Sequence, residues 1–189
     1  MKKLIKNIWI CRYRIAIWLL FSQSSVLAQS TPELEYQLKA VFLFNFTQFT
    51  EWPADSFHSD SEPLVIGIVG ENPFGAYLES IVSGEMKGGH PVVVKYYKDE
   101  EDAGTCHVLF FHIKDPQRRK EIIEGATDKN ILTVSDDAAF LKEGGMVRFF
   151  TSSNKIKFQI SLNACKKARL ELSSKLLRVA DIIEPPEIK

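Results

Sequence analysis

The chain is poor in the residues that hold metals and form cross-links: three cysteines, four histidines and three methionines in 189 residues. Cys106 and His112 would share a strand face, but at opposite ends of a strand about 20 Å long, too far apart for one ion. His107 faces the other way, and His58 and His90 fall in predicted loops. No compact Cys/His spacing exists, so no metal or other cofactor is expected. No lysine-bearing phosphate loop, dinucleotide fingerprint or Gly-x-Ser-x-Gly elbow is present, so the common nucleotide and hydrolase signatures are missing. Past the N-terminus, no apolar run is long enough to cross a bilayer, so no direct membrane insertion is expected.

Charge of one sign is also lacking overall, with 24 basic and 24 acidic residues. The balance hides an asymmetry. Lys2, Lys3, Lys6, Arg12 and Arg14 precede a short apolar stretch, Ile15-Ala16-Ile17-Trp18-Leu19-Leu20-Phe21, which a serine-rich segment ends. Val26-Leu27-Ala28 then precedes a cleavage position, so residues 1–28 read as a secretory signal peptide and 29–189 as one mature domain. The leader takes five basic residues and no acidic ones, leaving 19 basic against 24 acidic and a net charge of −5. Such a surface gains little from counterion release, which argues against nucleic acid as a partner. Cys11 lies before the apolar stretch and does not read as a lipid-attachment site. Cys106 and Cys165 remain. An oxidising compartment permits a disulfide between them, and two buried thiols are the other reading.

What the chain does have is periodicity. Ser30-Thr31-Pro32-Glu33 reads as a helix start. Leu34, Leu38, Val41, Phe42, Phe46 and Phe49 follow at helical spacing, predicting a strongly apolar helix over 34–50 that stops before Trp52-Pro53. A continuous apolar run at 63–69 reads as a strand buried on both faces, and 91–97, 107–113 and 130–134 read as further strands. Helices are expected at 73–83, 115–126 and 136–142, with a short helix or turn at 99–104. Two runs, 145–150 and 155–160, flank Thr151-Ser152-Ser153-Asn154 as an antiparallel hairpin. A last helix is predicted over 162–183, ended by Pro185-Pro186. The expected fold is a single compact three-layer α/β domain with a mainly parallel sheet, a C-terminal antiparallel hairpin and a final helix.

Two regions stand out as candidate sites. Gly70, Asn72 and Gly75 form a turn between a strand and a helix, and Ser135 and Asp136 follow a second parallel strand. Loops at that end of an open α/β sheet bind ligands. The bland reading is a tight turn at Pro73 and a helix cap at Ser135 or Asp136. Phe42, Phe46, Phe49 and Trp52 make a helix apolar over more than one side, either core or a face for a partner or a second copy.

Certain motifs carry a resemblance. They are Glu35-Tyr36-Gln37-Leu38-Lys39-Ala40-Val41-Phe42-Leu43-Phe44-Asn45-Phe46 with Trp52-Pro53, the Leu64–Gly70 strand with Asn72-Pro73-Phe74-Gly75, and Cys106-His107-Val108-Leu109-Phe110. Leu132-Thr133-Val134-Ser135-Asp136, Gly144-Gly145-Met146-Val147, Asn154-Lys155-Ile156-Lys157-Phe158-Gln159-Ile160 and Ser173-Ser174-Lys175-Leu176-Leu177 complete them. In order and spacing the sequence resembles the YfiR family. The resemblance implies a non-catalytic periplasmic regulator that binds an inner-membrane sensor protein, a diguanylate cyclase or in other members a histidine kinase. It also implies dimers and disulfide-tuned control in some members. With two cysteines left after the leader, this chain departs from that form of control. The alternative reading is a periplasmic small-ligand sensor.

Overall fold

The computed structural model describes residues 32–97 and 105–183. The signal peptide at 1–28, the Ser30 cap, the acidic segment at 99–104 and Pro185-Pro186 lie outside the described residues. In chain order the elements are α1 (Pro32–Phe49), β1 (Thr50–Glu51), β2 (Leu64–Gly70), α2 (Tyr77–Val82), β3 (Met86–Lys87), β4 (His90–Tyr97) and β5 (Val108–His112). Then come α3 (Pro116–Thr127), β6 (Leu132–Ser135), β7 (Val147–Ser152), β8 (Lys155–Ser161), α4 (Leu162–Lys167), β9 (Glu171–Leu172), α5 (Ser174–Leu177) and β10 (Asp181–Ile183).

The main sheet has eight strands in the order β10-β8-β7-β6-β5-β2-β4-β3. Strands β4, β2, β5, β6 and β7 run parallel. The short β3 is antiparallel to β4, and β8 is antiparallel to β7. Side chains alternate between the two faces of each strand, and two cores result. On one face, Leu64, Ile66, Ile68, Val108 and Phe110 pack with Leu43 and Phe46 of α1 and Leu78 of α2. On the other, Val65, Val69, Leu109 and Phe111 pack with Ile122, Ile123 and Ala126 of α3. The expected three layers are present.

Four expectations are corrected. The 162–183 stretch is not one helix. It breaks at Arg169, whose φ of +54° is left-handed, forms β9 against β1, restarts at a Ser173 cap and ends as β10, parallel to β8. Leu170, Leu172, Leu176 and Leu177 satisfy a helical pattern, but Leu170 and Leu172 are spaced as a strand and Val179 is 65% exposed. The helix expected over 73–83 starts only at Tyr77, because Asn72 accepts a hydrogen bond from the Phe74 amide (2.9 Å) and donates to the Gly75 carbonyl (3.1 Å). This closes a turn in which Gly75 has φ +56°. Residues 138–144 form turns in place of a helix. In the β7–β8 hairpin the loop is Ser153-Asn154 alone, both with positive φ. Thr151 and Ser152 join the ladder, since a two-residue turn of this hand matches strand twist.

Candidate functional site

The sheet changes direction of travel beside β2. After β2 the chain passes to α2 on one face, forms the short edge strand β3 and returns beside β2 as β4. After β5, on the other side of β2, it passes to α3 on the opposite face. The two loops part from neighbouring strand ends and leave a crevice between them. Gly70 is the last residue of β2. A Cβ there would lie 2.2 Å from the His112 carbonyl oxygen, and its φ is +96°, so only glycine lets the two strand ends come this close.

The N-terminal turns of α1 close the third side. The result is an open groove of about 750 Å³ lined by Glu33 and Tyr36, by the 71–77 loop and by His112. Of the loop residues singled out in the sequence, Asn72 and Gly75 line it and Gly70 does not. Ser135 does not. It is buried, its hydroxyl donates to the Phe111 carbonyl (3.0 Å), and it accepts from the Asp137 amide (3.2 Å).

Asp136 stands behind the groove in a charged cluster. Its Oδ2 accepts from Tyr36 Oη at 2.9 Å and from Lys39 Nζ at 2.8 Å. Lys39 also pairs with Glu35 at 2.7 Å and lies 4.3 Å from the centre of the Tyr36 ring. The lysine side chain is only 4% exposed, because position 39 lies on the core stripe of α1 with Ala40, Leu43 and Phe46. Burial alone would raise the Asp136 carboxyl pKa. The hydrogen bond and charge of Lys39, the Tyr36 hydroxyl and His112 outweigh it and hold the group below the usual carboxylate value. Burial, the hydrogen bond to Asp136 and the nearby negative charges push the Tyr36 phenol far up. It therefore stays protonated and donates. The cluster fastens α1 to the loop after β6. Sequence reasoning missed Tyr36 and Lys39 as parts of it. The available signal was a lysine on an otherwise apolar helical stripe, four residues after Glu35.

The Phe-rich helix faces inward. Phe46 is fully buried, with ring centres 5.7 Å from Phe149 and 5.2 Å from Phe158. Phe42 packs on the same two rings. Phe49 is half-buried against the core. Trp52 meets His107 edge-on at 5.9 Å. These residues are core and core margin. The outward face of α1 instead shows Leu34, Leu38 and Val41, 47%, 44% and 37% exposed. Their spacing makes one ridge.

At the other end of the sheet, His107 is buried with both ring nitrogens engaged. Nδ1 accepts from the Val65 amide (3.1 Å), which leaves Nε2–H to donate to the Ser56 carbonyl (3.2 Å). Phe57 stacks between His107 and His90 at 4.4 Å and 3.9 Å. His90, expected in a loop, is the first residue of β4. The Cys106–Cys165 disulfide is not formed. Both cysteines are buried, and they belong to the two different cores, with the sheet between them. Among the described residues no group of His, Cys, Asp and Glu could hold a metal ion.

The profile of proteins described as YfiR/HmsC-like matches residues 36–181. The chain belongs to the YfiR/HmsC-like family. The match takes in the Tyr36–Lys39–Asp136 cluster, the crevice, both cores and all but the last two residues of β10. No curated protein matches the chain. Among solved structures, a conserved domain protein from Vibrio cholerae O1 biovar El Tor strain N16961 has 10% identity and a TM-score of 0.42, over 62% of this chain and 54% of its own. This YfiR/HmsC-like chain thus spans about half the length of that protein. No described helix is long and apolar enough to cross a membrane.

Proposed function

We propose that this protein is a periplasmic regulator that restrains an inner-membrane signalling enzyme, a diguanylate cyclase, and so lowers cyclic di-GMP. The observation that carries the reading is the family match over residues 36–181. Cyclic di-GMP is made in the cytosol, so an exported protein acts on it only by binding one state of a membrane partner better than another. Moving a two-state enzyme from mostly on to mostly off takes about 5.5 kcal/mol of differential binding. The Leu34–Leu38–Val41 ridge supports this role. Each such side chain contributes about 1.5–3 kcal/mol when fully buried, before the cost of association.

Deleting the gene should raise cellular cyclic di-GMP, and a plasmid copy should restore it. An unchanged level would remove the cyclase from the proposal. A Leu38→Asp variant should fold normally and fail to restore the low level. If it restores the level as well as the wild type, the partner docks elsewhere. If the variant changes only the solution mass of the purified protein, the ridge joins two copies. The second reading, a small-ligand sensor that feeds a membrane histidine kinase, draws on the groove beside Gly70.

A further inference from the structure

We infer that the groove at the end of β2 and β5 binds a small organic cation, a molecule with an ammonium or guanidinium group on a short carbon frame. This goes beyond the regulatory reading and does not depend on it.

Position is the first argument. The groove lies where loops from adjacent parallel strands leave to opposite faces, the place where open α/β sheets take ligands. Gly70, just before the lining residue Glu71, has no room for a Cβ against the His112 carbonyl, which holds the two strand ends together beside the groove. Its volume of about 750 Å³ is in the range of small-molecule sites.

Charge is the second. Glu33 and Glu71 line the groove, His112 is its one basic side chain, and no lysine or arginine lines it. Neither glutamate has an ion-pair partner among the described residues. Lys39, the ammonium beside Tyr36, is committed to Glu35 and Asp136. The N-terminus of α1 brings about half a positive charge, which Glu33 and Glu35 in its first turn more than offset. An anion entering here would meet an excess of carboxylates.

Ring chemistry is the third. Tyr36, Phe74 and Tyr77 line the same groove. Phe74 is buried and meets Tyr36 edge to face at 5.6 Å, Lys39 already lies over the Tyr36 ring, and Tyr77, 38% exposed, is the most open of the three. Aromatic faces attract organic cations, and the attraction strengthens as water is excluded. Carboxylates and rings on the walls of one groove favour a ligand that is cationic at one point and apolar elsewhere.

The test uses the purified mature chain. Thermal unfolding and titration calorimetry are run with putrescine, agmatine and choline, against sodium chloride at matched ionic strength and against glutarate as the anionic control. At least one cation should raise the melting temperature by several degrees at saturating concentration, and glutarate should not. Combining Glu33→Gln with Glu71→Gln should weaken that cation at least tenfold. The exposed Glu124→Gln on α3 should leave its affinity unchanged. The inference fails if none of the three cations binds, if glutarate binds as well as they do, or if affinity survives the paired substitution.

Discussion

Lys39 keeps a full charge at 4% exposure because Glu35 and Asp136 both reach it. Breaking such a pair from one side strands the other charges. Lys39→Met should therefore cost about 3 kcal/mol in urea unfolding, at the low end of the usual range because Glu35 and Asp136 keep 30% and 23% exposure. His107 gives the second expectation at this scale. Burial lowers its pKa below the ordinary 6.5, and His90 adds to this. The Ser56 carbonyl and Glu62 act against it without reversing the direction. The unfolded chain thus takes up a proton near pH 6.5 while the folded chain does not. Stability from this group is complete above that pH and falls as the pH drops below it. Urea midpoints should decline between about pH 7 and pH 5.5, and His107→Gln should flatten that slope. The role of His107 was not readable from sequence. The partners of His107 are Val65 and Ser56, 42 and 51 residues away, and no local spacing encodes such a meeting. Asn72 was more legible, because an asparagine before Pro-Phe-Gly closes turns through its own side chain.

The single helix α1 carries two opposite consequences. Phe46→Ala should cost about 3–5 kcal/mol, since a fully buried ring leaves a cavity between Phe149 and Phe158. Leu38→Asp on the outward ridge should change stability by no more than about 0.5 kcal/mol. Denaturation curves of the two variants measure the contrast. The sequence pattern found α1, α3 and the five parallel strands because each is long, periodic or continuously apolar. It put Leu34, Leu38 and Val41 on one stripe with Phe42, Phe46 and Phe49, and could not say which of them turned inward. Leu34, Leu38 and Val41 share the same periodicity as the buried set. The C-terminal segment was misread for a related reason. Two-residue strands such as β9 exist only through their partners, here Thr50 and Glu51, and no run of two residues announces itself. Gly70→Ala makes a sharper test of β2. A Cβ at 2.2 Å from backbone, with φ at +96°, leaves nothing flexible to give way, and the variant should unfold at clearly lower urea.

Across the whole molecule the sheet acts as a partition. It separates the core under α1 from the core under α3, and its polar features gather at its two ends. The groove and the Lys39 cluster lie at one end, the stacked His107, Phe57 and His90 at the other. Cys106 and Cys165 fall on different sides of that partition, and burial pushes both thiols up to about 12. Alkylation of the native protein should therefore leave both unlabelled by mass, and denaturation without reductant should expose both. The consequence reaches back to biogenesis. A chain whose fold keeps Cys106 and Cys165 apart asks nothing of the cell's oxidative folding catalysts for that pair. It should accumulate equally well in a host stripped of them, and its yield should follow only how quickly the strands find their neighbours.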